Sequence, residues 1–171
     1  MLEIDIKIKH NNMEFPFKAS VKRGEIFTFA VGEEIMRDKL FWALCGINKD
    51  YTGEIKGEGI CFNSSTFNNV LAIGDRSMFI RGSVTRNIYK ALRVRADKQT
   101  AKSRTDEVIK LYGLERLSKL NVKLLDDNEL LTVALARAHF RKIGLVVFKK
   151  LEEHGEIDLS KFSDAYIIKV S

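Results

Sequence analysis

The spacing of hydrophobic residues changes along the chain, from alternation in the first part to a helical period of about 3.6 beyond Gly82. The first strand, Leu2–Ile8, alternates apolar and charged residues, which predicts one buried and one solvent-exposed face. Together the patterns predict buried strands at 26–31, 70–73 and 145–148, further strands at 15–21, 51–62 and 164–170, and helices at 35–45, 83–92, 98–112 and from Asp126 onward.

One predicted helix leads directly into a buried strand. Asp126 followed by Glu129 is a capping-box pattern, so the helix is expected to begin there. The strand Leu145–Phe148 is apolar and β-branched, and it is followed by Lys149 and Lys150. A helix that feeds a buried strand implies an α/β layer architecture, in which ligands bind at the carboxyl ends of the strands. The two lysines therefore follow a strand end where a ligand would bind.

Composition places the chain among globular proteins. It has 171 residues, of which 45% are hydrophobic and 30% charged, and no apolar run approaches the ~20 residues of a membrane span. The N-terminal sequence MLEIDIKIKH does not resemble a signal peptide, so a cytoplasmic location is expected. Without a flexible linker, residues 1–171 are predicted to form one domain, with 82–140 as a helical subdomain. Cys45 and Cys61 lack metal-ligand spacing and are interpreted as reduced core thiols.

The net charge of +6 has two explanations. An anionic partner, nucleotide or nucleic acid would be attracted to it, but a solvated basic surface is the simpler interpretation. The basic run Arg93–Arg104 is the candidate nucleic-acid surface. No aromatic residues interleave this run as stacking platforms would, so nucleic acid is not the expected partner.

Five segments, in order, resemble the nucleotide-binding domain of ABC transporters. KRGEIFTFAVG resembles the strand into the phosphate loop, and ALCGINKDYTGEIKGEG is similar to the helix end and hairpin that follow. DRSMFIRGSVTRNI resembles the Q-loop segment, LLDDNELLTVALARA the signature motif with its helix, and SDAYIIKVS the strand after the switch histidine. The resemblance covers nearly the whole chain. It implies a shortened, P-loop-NTPase-like α/β domain with a mixed sheet and a helical subdomain.

The phosphate-loop stretch departs from the pattern GxxxxGK[ST], whose glycines let backbone amides close on phosphate. Glu34 and Met36 stand at glycine positions, and neither reaches positive φ cheaply. Arg37 matches the lysine, and Asp38 matches the hydroxyl that binds Mg²⁺. We therefore expect the turn 33–38 to form an ordinary strand–turn–helix connection rather than a phosphate-binding nest.

The metal-binding positions depart further. Asp75 matches the Q-loop glutamine, while Lys149 and Lys150 match the Walker B aspartate and the catalytic glutamate. A lysine offers only donors and a positive charge, and like charges near 4 Å cost roughly 4 kcal/mol at an effective dielectric of ~20, so Mg²⁺ is expected to be excluded. The degenerate nucleotide-binding positions are Gly32, Arg37, Asp38, Asp75, Lys149 and Lys150, and no catalytic or metal-binding residue is expected.

The resemblance implies that Asp38, Asp75 and Lys149 converge on the place that holds Mg²⁺ in ABC domains. A lysine at a buried strand end needs a charged partner, so Lys149 is predicted to lie between Asp38 and Asp75 as a built-in counter-ion. The alternative is that Lys149 turns to solvent while the two carboxylates cap their own backbones. 

The signature-like residues are Asp126, Asp127 and Asn128. They match the serine and glycines that bind a γ-phosphate held by a partner subunit, which two carboxylates would repel. The capping box accounts for Asp126 without any ligand. The D-loop and the switch histidine have no match because the segment 151–163 is too short, and His154 is interpreted as a surface residue.

The sequence is compatible with three candidate functions. The first is a catalytically dead homologue of an ABC ATP-binding subunit, a structural or regulatory partner of an intact ATPase subunit or a membrane permease, with a homodimer also possible. It needs no cofactor. The second is a subunit that binds ATP without Mg²⁺ through Arg37, Lys149 and Lys150 and works with an intact partner ATPase. The third is a basic nucleic-acid-binding module.

Overall fold

The protein is represented by a computed structural model that describes residues 1–58, 60, 69–74, 76–149 and 162–171. These residues form two compact units, Met1–Ile73 with Lys142–Ser171 and Gly74–Arg141, and the predicted block 82–140 lies in the second. The elements are β1 Leu2–His10, β2 Met13–Val21, β3 Ile26–Phe29, α1 Glu34–Leu44, β4 Tyr51–Gly57, β5 Val70–Ile73, α2 Val84–Arg93, α3 Lys98–Leu111, α4 Asp127–Ala138, β6 Leu145–Lys149 and β7 Tyr166–Val170.

In the first unit, β1, β2 and β4 form an antiparallel sheet in the order β2-β1-β4. The apolar side chains of β1 are buried and its charged ones exposed, as the alternation predicted. Asn11 and Asn12 make the turn to β2 at positive φ, which asparagine tolerates. Pro16 is accommodated because β2 is an edge strand of this sheet. The predicted strand region 51–62 is β4 as far as Gly57, and residues 61 and 62 lie outside the described residues.

A second, parallel sheet has the order β3-β7-β6-β5. All residues of β5 and β6 are buried, which confirms two of the predicted buried strands. The prediction that 26–31 is a buried strand is wrong, since Ile26 is 57% exposed. The reason is topological: β3 lies at the edge of the described sheet, and an apolar run does not reveal strand order. The α/β fold class is confirmed, with the antiparallel and parallel strands in separate sheets.

Helix α1 packs its buried residues Met36, Leu40, Phe41 and Leu44 in the first unit, where it contacts β1, β6 and β7. The helix ends as predicted at Gly46, whose positive φ of 76° suits the left-handed position after a helix. Because α1 follows β3 in a parallel sheet, its first turns lie near the carboxyl end of β6. This arrangement positions the site described below.

The second unit is built from α2, α3 and α4, which pack around a shared apolar core. The predicted helix starts are confirmed: Ser83 caps α2 by accepting a hydrogen bond from Arg86 N at 3.2 Å, and Asp97 caps α3. The main core residues are Val84, Ile88, Leu92, Ala101, Val108, Leu114, Val122, Leu125, Leu130, Val133 and Ala136.

Two sequence expectations concern the chain as a whole. Among the residues that the structure describes, none of the helices has the length and apolarity that crossing a membrane requires. Cys45 is buried in the first unit, in line with a core thiol, while Cys61 lies outside the described residues.

Candidate functional site

The candidate site lies in the first unit, where β6 ends at Lys149. The Lys149 ammonium donates a hydrogen bond to Asp38 Oδ1 at 2.6 Å, which joins the strand end to α1. The Lys149 side chain is only 11% exposed, and that of Asp38 is 49% exposed. The predicted pairing of Lys149 with Asp38 is therefore confirmed, and the alternative of a solvent-facing lysine is wrong. Asp75, the other predicted partner, lies outside the described residues.

Two aromatic rings also lie near the ammonium. Lys149 Nζ lies 5.0 Å from the Phe41 ring centroid and 6.0 Å from that of Trp42, within the range of a cation–π interaction for both rings. The two rings meet edge to face, with centroids 4.9 Å apart. Asp38, Phe41 and Trp42 are spaced i, i+3 and i+4 on α1, so they share one face of the helix. We call Asp38, Phe41, Trp42 and Lys149 the cation box.

The sequence identifies Asp38 and Lys149 as candidate site residues but not Phe41 and Trp42. Both rings lie in the predicted helix 35–45, and the sequence assigns neither of them a role at the site. The spacing Asp38-x-x-Phe41-Trp42 was a usable signal, because it puts a carboxylate and two rings on one helical face. A cation opposite that face could not be recognised without knowing which strand end packs there.

The turn between β3 and α1 has the backbone of an ordinary helix start. No residue from Val31 to Asp38 has positive φ, whereas a nest needs alternating right- and left-handed residues. Val31 N donates to Ser171 O at 2.7 Å, and Arg37 N donates to Glu33 O at 2.9 Å as the helix begins. Gly32 is exposed, and a Cβ there would meet no atom within 4 Å. These observations agree with the prediction that the turn does not form a phosphate-binding nest.

Several residues singled out in the sequence are not described. Lys150, the match to the catalytic glutamate, lies outside the described residues, as does His154. Arg37 is described and half-buried in the first turns of α1. Within the described part of the chain, no three histidine, cysteine or acidic side chains are grouped so that they could hold a metal ion.

The signature-like residues start α4 in the second unit. Asp126 Oδ1 accepts from Glu129 N at 2.8 Å, and Glu129 Oε2 accepts from Asp126 N at 2.9 Å, which confirms the capping box. Asp127 forms an ion pair with Arg76 at 2.8 Å, and Asn128 is exposed. Helix capping thus accounts for Asp126 and Glu129 without a ligand.

Replacing Asp126 with alanine should lower the stability of the second unit by about 1 kcal/mol, because the first turn of α4 loses its cap. Thermal unfolding followed by far-ultraviolet circular dichroism measures the change. Asp106→Ala is the matched control, since Asp106 is an exposed aspartate within α3. Equal stability of the Asp126→Ala protein and the wild type would contradict the capping role.

Two arginines of the second unit, Arg137 and Arg141, are partly buried. Burial, followed by the charges of Arg95 and Arg137, lowers the pKa of Arg141 to about 10. Burial also lowers the pKa of Arg137, which donates to Met78 O at 3.0 Å. Arg104 Cζ lies 4.8 Å from the Phe140 ring centroid. The fold therefore brings an aromatic ring next to the basic run 93–104, which contains no aromatic residue of its own. A guanidinium already covers that ring, which leaves it a poor platform for a nucleic-acid base.

Comparison with solved structures agrees with the α/β fold, whereas two other comparisons found no match. No family model matches the chain, and no curated protein matches it. Among solved structures, one similar protein is CbiO1 from Clostridium perfringens, which is part of the ABC transporter complex CbiONQ. Its TM-score is 0.70 at 15% sequence identity, and the alignment covers 99% of this chain and 77% of the CbiO1 chain. The ATP-binding cassette MJ0796, solved as a dimer in a post-hydrolysis state with ADP and Pi, is similar with a TM-score of 0.71 at 14% identity, covering 99% and 87%. The chain therefore has the fold of ABC ATP-binding domains.

Proposed function

We propose that this protein is a catalytically inactive homologue of ABC ATP-binding subunits, acting as a structural or regulatory partner in an ABC transport system. The observation that carries the proposal is the Lys149–Asp38 ion pair at the carboxyl end of β6. In open α/β sheets this edge is where ligands bind. Here it holds a cation that belongs to the chain itself.

Mg²⁺ does not fit the described residues of this site. The ion takes near-octahedral oxygen ligands, whereas Lys149 contributes only N–H donors. Asp38 Oδ1 already accepts a hydrogen bond from the ammonium at 2.6 Å, so a divalent cation bound there would also meet a like charge. Without a metal ion, the described residues of this site lack the group that neutralises developing charge in phosphoryl transfer.

The start of α1 is consistent with a domain that does not hold phosphate. Glu33 and Glu34 are exposed there, and they bring negative charge to the end of the helix that would otherwise attract an anion.

One observation favours the second candidate, a subunit that binds ATP without Mg²⁺ through Arg37, Lys149 and Lys150. The N-cap residue Glu33 makes no side-chain hydrogen bond to the first turn of α1. Backbone amides of that turn would then donate hydrogen bonds to a bound anion.

Partner binding is supported by the surface of the second unit. A cavity of about 540 Å³ there combines the apolar side chains of Phe79 and Ile80 with the cations Arg76, Arg81 and Lys123. Such a surface suits an acidic partner segment with apolar anchors. An intact ATPase subunit or a permease is the proposed partner, which would place this protein in the cytoplasm at the membrane.

The purified protein should release no phosphate from ATP above background, with or without Mg²⁺, because lysines stand at the positions that match the metal-binding aspartate and the catalytic glutamate. A colorimetric phosphate assay with an intact ABC ATPase as positive control measures this. Mg²⁺-dependent phosphate release that disappears in the Arg37→Ala variant would contradict the proposal.

A thermal-shift series separates the candidate functions. An unchanged Tm with ATP, with and without Mg²⁺, supports the inactive partner. A rise in Tm with ATP alone favours the unconventional nucleotide-binding subunit, since a ligand that binds only the folded state stabilises it. Salt-sensitive binding of a random oligonucleotide would favour the nucleic-acid module instead.

A further inference from the structure

The Lys149–Asp38 ion pair of the cation box is more buried than the other ion pairs among the described residues. The other pairs join side chains that are 46–71% exposed, whereas the Lys149 side chain is 11% exposed. An ammonium is strongly hydrated, and its burial is costly unless protein groups replace the lost water. The box supplies a carboxylate oxygen at 2.6 Å and two aromatic rings at 5.0 and 6.0 Å.

Aromatic faces attract organic ammonium ions, and a carboxylate accepts a charge-assisted hydrogen bond from an ammonium. We propose that Asp38, Phe41 and Trp42 form a binding site for a primary alkylammonium ion. In the wild-type protein the Lys149 side chain occupies this site permanently. The site holds α1 against the end of β6 without an external ligand. This inference builds on the proposed function, because it explains what stands at the carboxyl edge of the sheet in place of a metal ion.

The proposal predicts that a free ion can replace the tethered one. Lys149→Ala removes three methylenes and the ammonium, so the missing piece corresponds to n-propylammonium. Trp42 is the chain's single tryptophan, and its ring lies 6.0 Å from the ammonium. Its fluorescence therefore reports on the box without any label, and Tm gives an independent measure of occupancy.

The test titrates n-propylammonium chloride into purified Lys149→Ala and wild-type protein at constant ionic strength. We expect a saturable change in Trp42 fluorescence and a rise in Tm toward the wild-type value, in the variant alone. Propan-1-ol, which has the same size without the charge, should have neither effect. The double variant Lys149→Ala with Asp38→Ala should lose the response, because the carboxylate partner is gone.

An equal response to n-propylammonium and propan-1-ol, a similar response in the wild type, or no response of folded Lys149→Ala would each overturn the proposal. Stabilisation of the variant by Mg²⁺ alone would also overturn it, by assigning the box to metal ions. If Lys149→Ala does not fold, Lys149→Met keeps the buried stem without the charge. Its Trp42 emission should differ from the wild type, and unchanged emission would contradict the box. The test uses neither nucleotide nor partner, so its failure leaves the absence of ATPase activity to be judged separately.

Discussion

Replacing Lys149 with alanine is expected to destabilise the first unit by about 3 kcal/mol, within the range measured when one partner of a buried ion pair is removed. The change removes a charged hydrogen bond to Asp38 and cation–π contacts with Phe41 and Trp42. It also removes buried methylenes, each worth about 0.8 kcal/mol. The loss should fall at the lower end of the range, because Asp38 is 49% exposed and regains water once the ammonium is gone.

Denaturant unfolding followed by Trp42 fluorescence measures this loss in the unit that contains the box. Lys18→Ala is the matched control: Lys18 pairs with Asp5 at 2.9 Å, but the two side chains are 70% and 62% exposed. An exposed pair of this kind contributes about 0–1 kcal/mol, so the control should change little. If both variants lose the same small amount, burial of Lys149 does not contribute to stability as we infer.

Replacing Asn87 with alanine should destabilise the second unit by about 3 kcal/mol, because three hydrogen bonds of a buried amide are lost at about 1 kcal/mol each. The Asn87 side chain, 2% exposed, accepts from Ile80 N at 2.9 Å and donates to Ile80 O at 2.9 Å and to Ser83 O at 3.1 Å. These bonds hold the loop before α2 onto the helix. Alanine leaves the loop's backbone groups without those partners.

Asn87→Asp should cost more than Asn87→Ala, since a carboxylate cannot donate to the two carbonyls and carries a charge that burial disfavours. Circular dichroism of the helices follows unfolding of this unit. Asn128→Ala is the control, because Asn128 is an exposed asparagine on α4. A cost for Asn87→Ala no larger than for Asn128→Ala would show that the amide does not hold the loop.

Features that depend on neighbouring residues could be predicted from the sequence. The capping box of Asp126 and Glu129 and the helix end at Gly46 were predicted because their interactions lie within a few residues of one another. The alternation of β1 and the apolar runs of β5 and β6 likewise predicted which residues are buried. The same logic failed at β3, because burial of Ile26 depends on strand order rather than on the run itself.

The candidate site was predictable only in part. Asp38 and Lys149 are 111 positions apart, and no local pattern connects them. Their pairing was predicted because the resemblance to ABC domains assigned both to one strand-edge site, and because a buried lysine needs a partner. The rings of Phe41 and Trp42 were missed, since an aromatic residue on a helix serves equally well as core.

By itself the sequence determined the helices, most strands and the capping box of α4, because hydrogen bonds to nearby backbone and the period of apolar residues decide them. The tertiary structure alone decided that β3 lies at the edge of the described sheet, that Phe140 lies beside Arg104, and that the rings of Phe41 and Trp42 lie near the Lys149 ammonium. Each of these depends on which distant segments pack together. A side chain's partners across such a contact are set by three-dimensional proximity, and the order of residues does not encode that proximity locally.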